Sequence, residues 1–265
     1  MSQSTQPVTY KSKLQGARVL ILGGSSGVGF GVAQALLEHG ASVIISSSSP
    51  DRVAKAVQRL EASHPQGHVQ GIACNLGSQE HLVSDVGKLV TEVAKGGKLD
   101  HVVHTAGDAM AIGKLEDFSL AEIQQAGMVR FFSPFIVAQH LRKLLKDGPA
   151  SSYIMTTGGA SERPMPDWTV VLSYITGLVG MMRGLAKDLA PIRVNLVALG
   201  PVETELWDSF RAQGAYEAVK ESFEKGMATG TIGKVEDIVE SYLYLMKDKN
   251  ATGSTVTSNG GMVLM

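Results

Sequence analysis

The sequence predicts an α/β fold: a doubly wound parallel sheet with helices on both faces, forming one domain over 16–265 after a polar arm, 1–15. Three observations predict it. Short β-branched apolar runs alternate with longer helix-compatible stretches. The runs are apolar throughout instead of alternating, the mark of strands covered on both faces. No repeat and no linker rich in Pro, Gly or Ser divides the chain, whose 265 residues suit a single α/β unit.

Arg18–Leu22 opens the sheet, and a glycine turn leads into a helix over Val28–His39. Ser42–Ser46 and a helix over Asp51–Ser63 follow, then Val69–Ala73 and a helix over His81–Lys95. His101–Thr105, Tyr153–Thr157, Arg193–Ala198 and Ser254–Ser258 complete the strands. Each is too short and apolar for a helix, and most are followed by Gly or Ser turn signals. Thr169–Ala186 differs: it carries one charge, Arg183, and its apolar residues run all the way round a helix. One face meets the sheet. The other is expected against a second subunit of a homo-oligomer, a dimer or tetramer, or under a loop of the same chain.

Hydrophobic residues make up 44% of the chain, enough for a sizeable core. A net charge of −1 with both signs dispersed argues against a nucleic-acid or membrane-surface role. Cys74 is the only cysteine, which excludes an internal disulfide and a cysteine-based zinc site. The seven histidines show no ligand spacing, so no metal is expected. No apolar run approaches the ~18 residues of a membrane span, and the arm lacks the apolar core of a signal peptide. A cytoplasmic protein is expected.

Gly23-Gly24-Ser25-Ser26-Gly27-Val28-Gly29 joins the first strand to the first helix. Glycines there permit a tight turn and bring backbone amides close to a pyrophosphate, whose charge the helix N-terminus stabilises. A merely structural turn is the other reading; the strand–loop–helix setting favours a cofactor and a Rossmann-like fold.

Four further motifs join this one. They are His104-Thr105-Ala106-Gly107, Arg193-Val194-Asn195, Gly200-Pro201-Val202-Glu203-Thr204 and Asn259-Gly260-Gly261. Together they resemble the short-chain dehydrogenase/reductase family over nearly the whole chain past the arm, with Leu22 in place of the family's threonine before the glycine loop. The resemblance implies that Asn75 and Leu76 lie against the adenine, that Ala106, Gly107, Gly200 and Val202 border the cofactor, and that Thr204 lies near the carboxamide. At the end of the second strand Ser47 falls where NAD-using relatives carry an acid for the ribose 2′-OH. Ser47, Ser48, Ser49 and Arg52 suit a 2′-phosphate instead, and NADP(H) is the expected cofactor. The same serines also suit a helix cap.

The family's Asn, Ser, Tyr and Lys supply and position a proton. Tyr174 and Ser161 mimic part of that set, but the residue four beyond Tyr174 is Leu178. A register three residues earlier aligns Gly180, Arg183, Leu185-Ala186, Asp188-Leu189-Ala190-Pro191 and Arg193-Val194-Asn195 without a gap. It puts Val171 and Ile175 in the Tyr and Lys places and Gly158 in the Ser place, and the resemblance puts Arg130 in the Asn place. None of these is a ready proton donor, since Arg stays protonated. Ketone reduction creates an alkoxide that must be protonated; an iminium ion is already cationic and accepts hydride without a proton.

Arg163-Pro164-Met165-Pro166-Asp167-Trp168 follows the fifth strand. Its prolines stiffen it, and Trp168 offers a face for an aromatic or cationic ligand. Asp167 either stabilises a cation or caps the following helix. Arg130, between Val129 and Phe131-Phe132, either reaches into the site or lies on the surface. Arginine in the Asn place with a Pro-x-Pro-x-Trp loop resembles a divergent subgroup that includes fungal bifunctional reductase/Diels–Alderases of indole alkaloid biosynthesis. Their Pro-Asp-Pro-Gly-Trp loop carries its acid at the place of Met165. The resemblance implies hydride transfer from NADPH to an iminium in secondary metabolism, coupled or not to intramolecular cyclisation, with Asp167, Arg130 and Trp168 as catalytic residues. A cyclase or isomerase that uses NADP as a scaffold, or a catalytically inert NADP sensor, fits the same residues.

Overall fold

The structure, a computed structural model, describes Tyr10 and residues 13–265, apart from the side chains of Ser161, Leu206, Ser209 and Phe210. The rest of the polar arm lies outside the described residues. Seven parallel strands form one sheet in the order β3-β2-β1-β4-β5-β6-β7. They are β1 Arg18–Leu22, β2 Ser42–Ser47, β3 His68–Ala73, β4 His101–His104, β5 Ser152–Gly158, β6 Arg193–Leu199 and β7 Thr255–Ser258. Every strand expected from the sequence is present, with ends shifted by at most one residue.

The helices are α1 Gly27–Glu38, α2 Pro50–Ser63, α3 Leu82–Ala94, α4 Leu120–Gly127, α5 Ser133–Ala138, α6 Leu141–Leu144, α7 Thr169–Asp188, α8 Asp208–Ala212, α9 Tyr216–Lys225 and α10 Val235–Lys247. A π-turn, Met128–Phe132, joins α4 to α5. Alternate strand residues feed two separate cores. Val19 and Ile21 of β1 pack with α1, α2 and α10 on one face, while Leu20 and Leu22 pack with α3, α5, α6 and α7 on the other. The order in which strands are added reverses between β1 and β4, and the crevice beyond their C-terminal ends is where such sheets bind ligands.

Arg193 explains one of the motifs. It is 2% exposed, and its guanidinium donates to the carbonyls of Pro149, Leu245, Met246 and Ala251, which satisfies the C-terminal end of α10. Asn195 holds Ala251 O and Ser254 N of the connection to β7. Asp248 lies close enough to oppose the fall that burial imposes on the Arg193 pKa.

α7 corrects one expectation. Val170, Val171, Ile175, Leu178, Met181 and Met182 are buried, but Ser173, Thr176, Gly180, Arg183, Gly184 and Lys187 form a bare stripe of small and charged residues. The helix is therefore not apolar on every side. It is long and apolar enough by composition to cross a membrane (mean hydropathy 1.4), yet it packs along β5 and β6.

Candidate active site

The glycine turn is built for close backbone approach. Gly23 N and Gly24 N both donate to Ser46 O, at 2.8 and 3.1 Å, pinning the turn to β2. Gly23 has φ +89°, and a Cβ there would lie 2.5 Å from Ala106 N. At Gly29 a Cβ would meet Gly23 O at 2.3 Å, so only glycine lets α1 start this close to the strand. The helix begins without an acid in its first turn and without a side-chain cap from Ser26. Ser25, Ser26, Gly27 and Val28 thus present backbone and hydroxyls at a positive helix end, a cradle that fits a pyrophosphate.

Beyond β2, Ser47 is half-buried and its carbonyl accepts from Cys74 N at 2.9 Å. Ser49 caps α2 through Arg52 N, and Ser48 Oγ holds the Arg52 guanidinium at 2.7 Å. The helix-cap and guanidinium roles therefore coexist. Asn75 is exposed and closes a local turn onto Gly77 N, whereas Leu76 is turned into the core. Gly200 presses against Asn259, where a Cβ would lie 2.8 Å from Asn259 Cα. Val202 is buried, and Thr204 Oγ1 is buried without a hydrogen-bond partner among the described residues.

Gly158, Val171 and Ile175 lie together, whereas Arg130 sits apart beside Gly107 and Asp108. Val171 (2% exposed) and Ile175 (6%) bury themselves with Ala160 in a small third cluster, against which Met165, Trp168 and Leu172 pack. A Cβ on Gly158 would touch Ile175 Cδ1 at 3.5 Å, so Ile175 covers the serine place. Thr157 Oγ1 donates to Ile175 O at 2.7 Å and ties β5 to α7. Tyr174 turns away: its hydroxyl donates to Ile123 O at 2.8 Å, and its ring packs on Phe131 and Phe132.

Arg130 points inward from the π-turn, an element frequent at functional sites. Its guanidinium lies over the Gly107 backbone, where a Cβ would meet Nη1 at 3.0 Å. It donates to the Asp108 carbonyl and pairs with Asp108 Oδ1, Nε to Oδ1 being 3.3 Å. Neither Oδ1 nor Nε completes a hydrogen bond. Burial raises the Asp108 carboxyl above its ordinary pKa against the pull of Arg130, and burial lowers the guanidinium. Sequence reasoning missed Asp108; the signal was its position directly after Ala106-Gly107. Behind the pair, His104 Nδ1 meets Tyr153 Oη at 3.1 Å and Nε2 meets Ser133 Oγ at 3.2 Å, while Ser133 donates to Val129 O. This buried chain fixes the π-turn to β4 and β5.

Asp167 is exposed, with φ +64°. The N-cap of α7 is Trp168, which gives no side-chain cap, so the expected capping by Asp167 is absent. Its carbonyl instead accepts from Gly113 N at 2.9 Å, latching the Arg163–Trp168 loop to the loop that starts at Asp108. That second loop exposes Met110 (47%) and Ile112 (49%). Among the described residues no group of three or more His, Cys, Asp or Glu is placed to hold a metal.

Comparison with known proteins identifies the family of this fold. An SDR-like Rossmann domain family matches residues 10–265. The short-chain dehydrogenase/reductase fsr5 of Gibberella fujikuroi is 55% identical over 96% of this chain and 97% of that protein. The short-chain dehydrogenase/reductase malC of Malbranchea aurantiaca is 38% identical over 95% and 96%. The solved structure of MalC Reductase/Diels-Alderase from Malbranchea aurantiaca superposes with a TM-score of 0.91 at 37% identity, covering 97% of this chain and all of that one, 100%.

Proposed function

The chain belongs to the short-chain dehydrogenase/reductase family, and on that premise we propose that it is an NADP(H)-dependent reductase of secondary metabolism delivering hydride to a cationic C=N bond. The observation that carries the reading is the replacement of the Tyr and Lys places by the buried side chains of Val171 and Ile175. Nicotinamide, when bound, supplies the hydride. The side chains around it hold a cation and exclude water. Asp108, tethered by Arg130, offers the counter-charge, and the Arg130 guanidinium is the anchor for a carbonyl oxygen. Trp168, Met110 and Ile112 suit a broad apolar ring system. Asp167 stands at the mouth as a second carboxylate. The likeness to MalC Reductase/Diels-Alderase supports a reduction coupled to cyclisation, and a polycyclic nitrogen substrate suits the proposed cation site.

NADP(H) is favoured by the absence of an acid at Ser47 and by the Ser48–Arg52 contact. The bare stripe of α7 and the exposed Phe135 of α5 (41%) are the surfaces offered to a second copy of the chain. Light scattering at micromolar concentration is expected to report a dimer or tetramer; a monomer would refute that assembly. The function itself is tested by following cofactor oxidation across a panel of cyclic iminium ions and ketones, with NADPH and NADH in parallel. Iminium turnover with NADPH, weaker with NADH and absent with ketones, is expected. Robust ketone turnover would mean that a proton donor exists. Cofactor binding without consumption on the whole panel would favour the scaffold reading.

A further inference from the structure

The N-terminus of α1 attracts anions through unpaired amides and the helix dipole. In this chain it already holds one. Gly27 N, the first amide of α1, donates to Glu205 Oε2 at 2.8 Å across 178 residues of sequence. Nothing in α1 competes for that amide, because its first turn has no acid and Ser26 provides no side-chain cap. A second side chain of the segment also lies against the turn: Thr204 Cγ2 is 3.3 Å from where a Gly27 Cβ would be. This seating leaves Thr204 Oγ1 buried and without a partner among the described residues.

The segment is braced as a unit. Glu203 accepts from the Tyr216 hydroxyl and from Arg211 at 3.1 Å; Arg211 also reaches Asp208 at 2.8 Å and lies 4.5 Å over the Tyr216 ring. Glu203, Glu205 and Arg211 wall a cavity of about 380 Å³ beside Gly27, Phe30 and Arg59.

We propose that Glu205 is a built-in anion that competes with the cofactor pyrophosphate for the Gly27 amide, so that NADP(H) binding must lift residues 203–216 off the glycine turn. The proposal rests on the nicotinamide-cofactor reading above. One N–H cannot serve a carboxylate and a phosphate at full strength, and two anions at one helix end repel. Apparent cofactor affinity is then reduced by the fraction of molecules in which Glu205 is released. Val202 and Thr204 belong to the same stretch, so the displacement would couple arrival of the phosphates to the shape of the pocket wall.

Calorimetric titration of NADPH, and separately of inorganic pyrophosphate, into full-length wild type, Glu205→Gln and Glu205→Ala tests this. Both variants are expected to bind NADPH about three- to ten-fold more tightly, the scale of a charged contact at a helix end, and to bind pyrophosphate more tightly as well. Melting temperature without ligand should fall in the variants, while the NADPH-saturated proteins melt together. Unchanged or weaker NADPH affinity in Glu205→Gln would overturn the proposal and make Glu205 a brace of the loaded protein or a bystander. If folded wild type and variants alike bind neither NADPH nor NADH, the cofactor reading fails and takes the proposal with it. Should Glu205→Ala fold poorly, the isosteric Gln variant decides alone.

Discussion

Arg130 carries a charge that water screens poorly, and Asp108 is the group that answers it. With side chains 23% and 35% exposed, the pair sits deeper than the surface ion pairs whose worth is about 0–1 kcal/mol. Asp167, by contrast, stands in solvent and its backbone acts as a latch. Asp108→Asn is therefore expected to slow NADPH-dependent hydride transfer to an iminium by roughly ten-fold or more, and by more than Asp167→Asn does, with NADPH affinity nearly unchanged in both. Single-turnover measurements on the two variants check the order; a larger loss in Asp167→Asn would return the principal acid to the proline loop. Arg130 drew attention in the sequence because its apolar neighbours, Val129 and Phe131-Phe132, and its family position pointed inward. Asp108 did not. A lone acid in a loop has no periodicity, and the partner that gives it meaning is 22 residues away.

α7 shows why restoring single groups does not restore a mechanism. Val171 and Ile175 share one helix face and are sealed by Ala160, with Met165 and Trp168 packed over them. An ammonium at position 175 would be buried there without a partner. The double variant Val171→Tyr/Ile175→Lys is expected to melt below wild type and to show no robust ketone-dependent NADPH oxidation. Gly158 still lacks a hydroxyl, Arg130 still fills the Asn place, and such groups act as a unit. Ketone turnover at the rate of an ordinary family member would contradict this. The seven strands were legible because buried β-branched runs leave a strong signal. The π-turn left none, since one extra residue in a helix hardly disturbs its apolar pattern. The bare stripe on α7 escapes a reading by charge, because Gly, Ser and Thr do not interrupt a run that looks apolar by its charges alone.

Across the whole molecule, acid sensitivity follows from β4. His101 and His104 are buried at its two ends, and burial, joined at His101 by Arg193, holds them down at about 3 and about 4. Unfolded, each titrates near 6.5. The unfolded chain thus binds these protons first, so stability is full above about pH 6.5 and is lost as pH falls towards 4. The loss is on the order of 3 kcal/mol for His104 alone. Urea midpoints measured from pH 7 to pH 4 should fall across that window, and His104→Gln should flatten the curve; a wild-type profile already flat would refute the assignment.

The third apolar cluster touches chemistry but belongs to neither main core. Substitutions at Ala160, Val171 or Ile175 are expected to combine additively with those in the two large cores, because independent sites add. Selection can then act on this patch at its own pace. A lineage that discards its proton donors, or later recovers them, rewrites a few side chains at the rim of a scaffold that never has to be renegotiated.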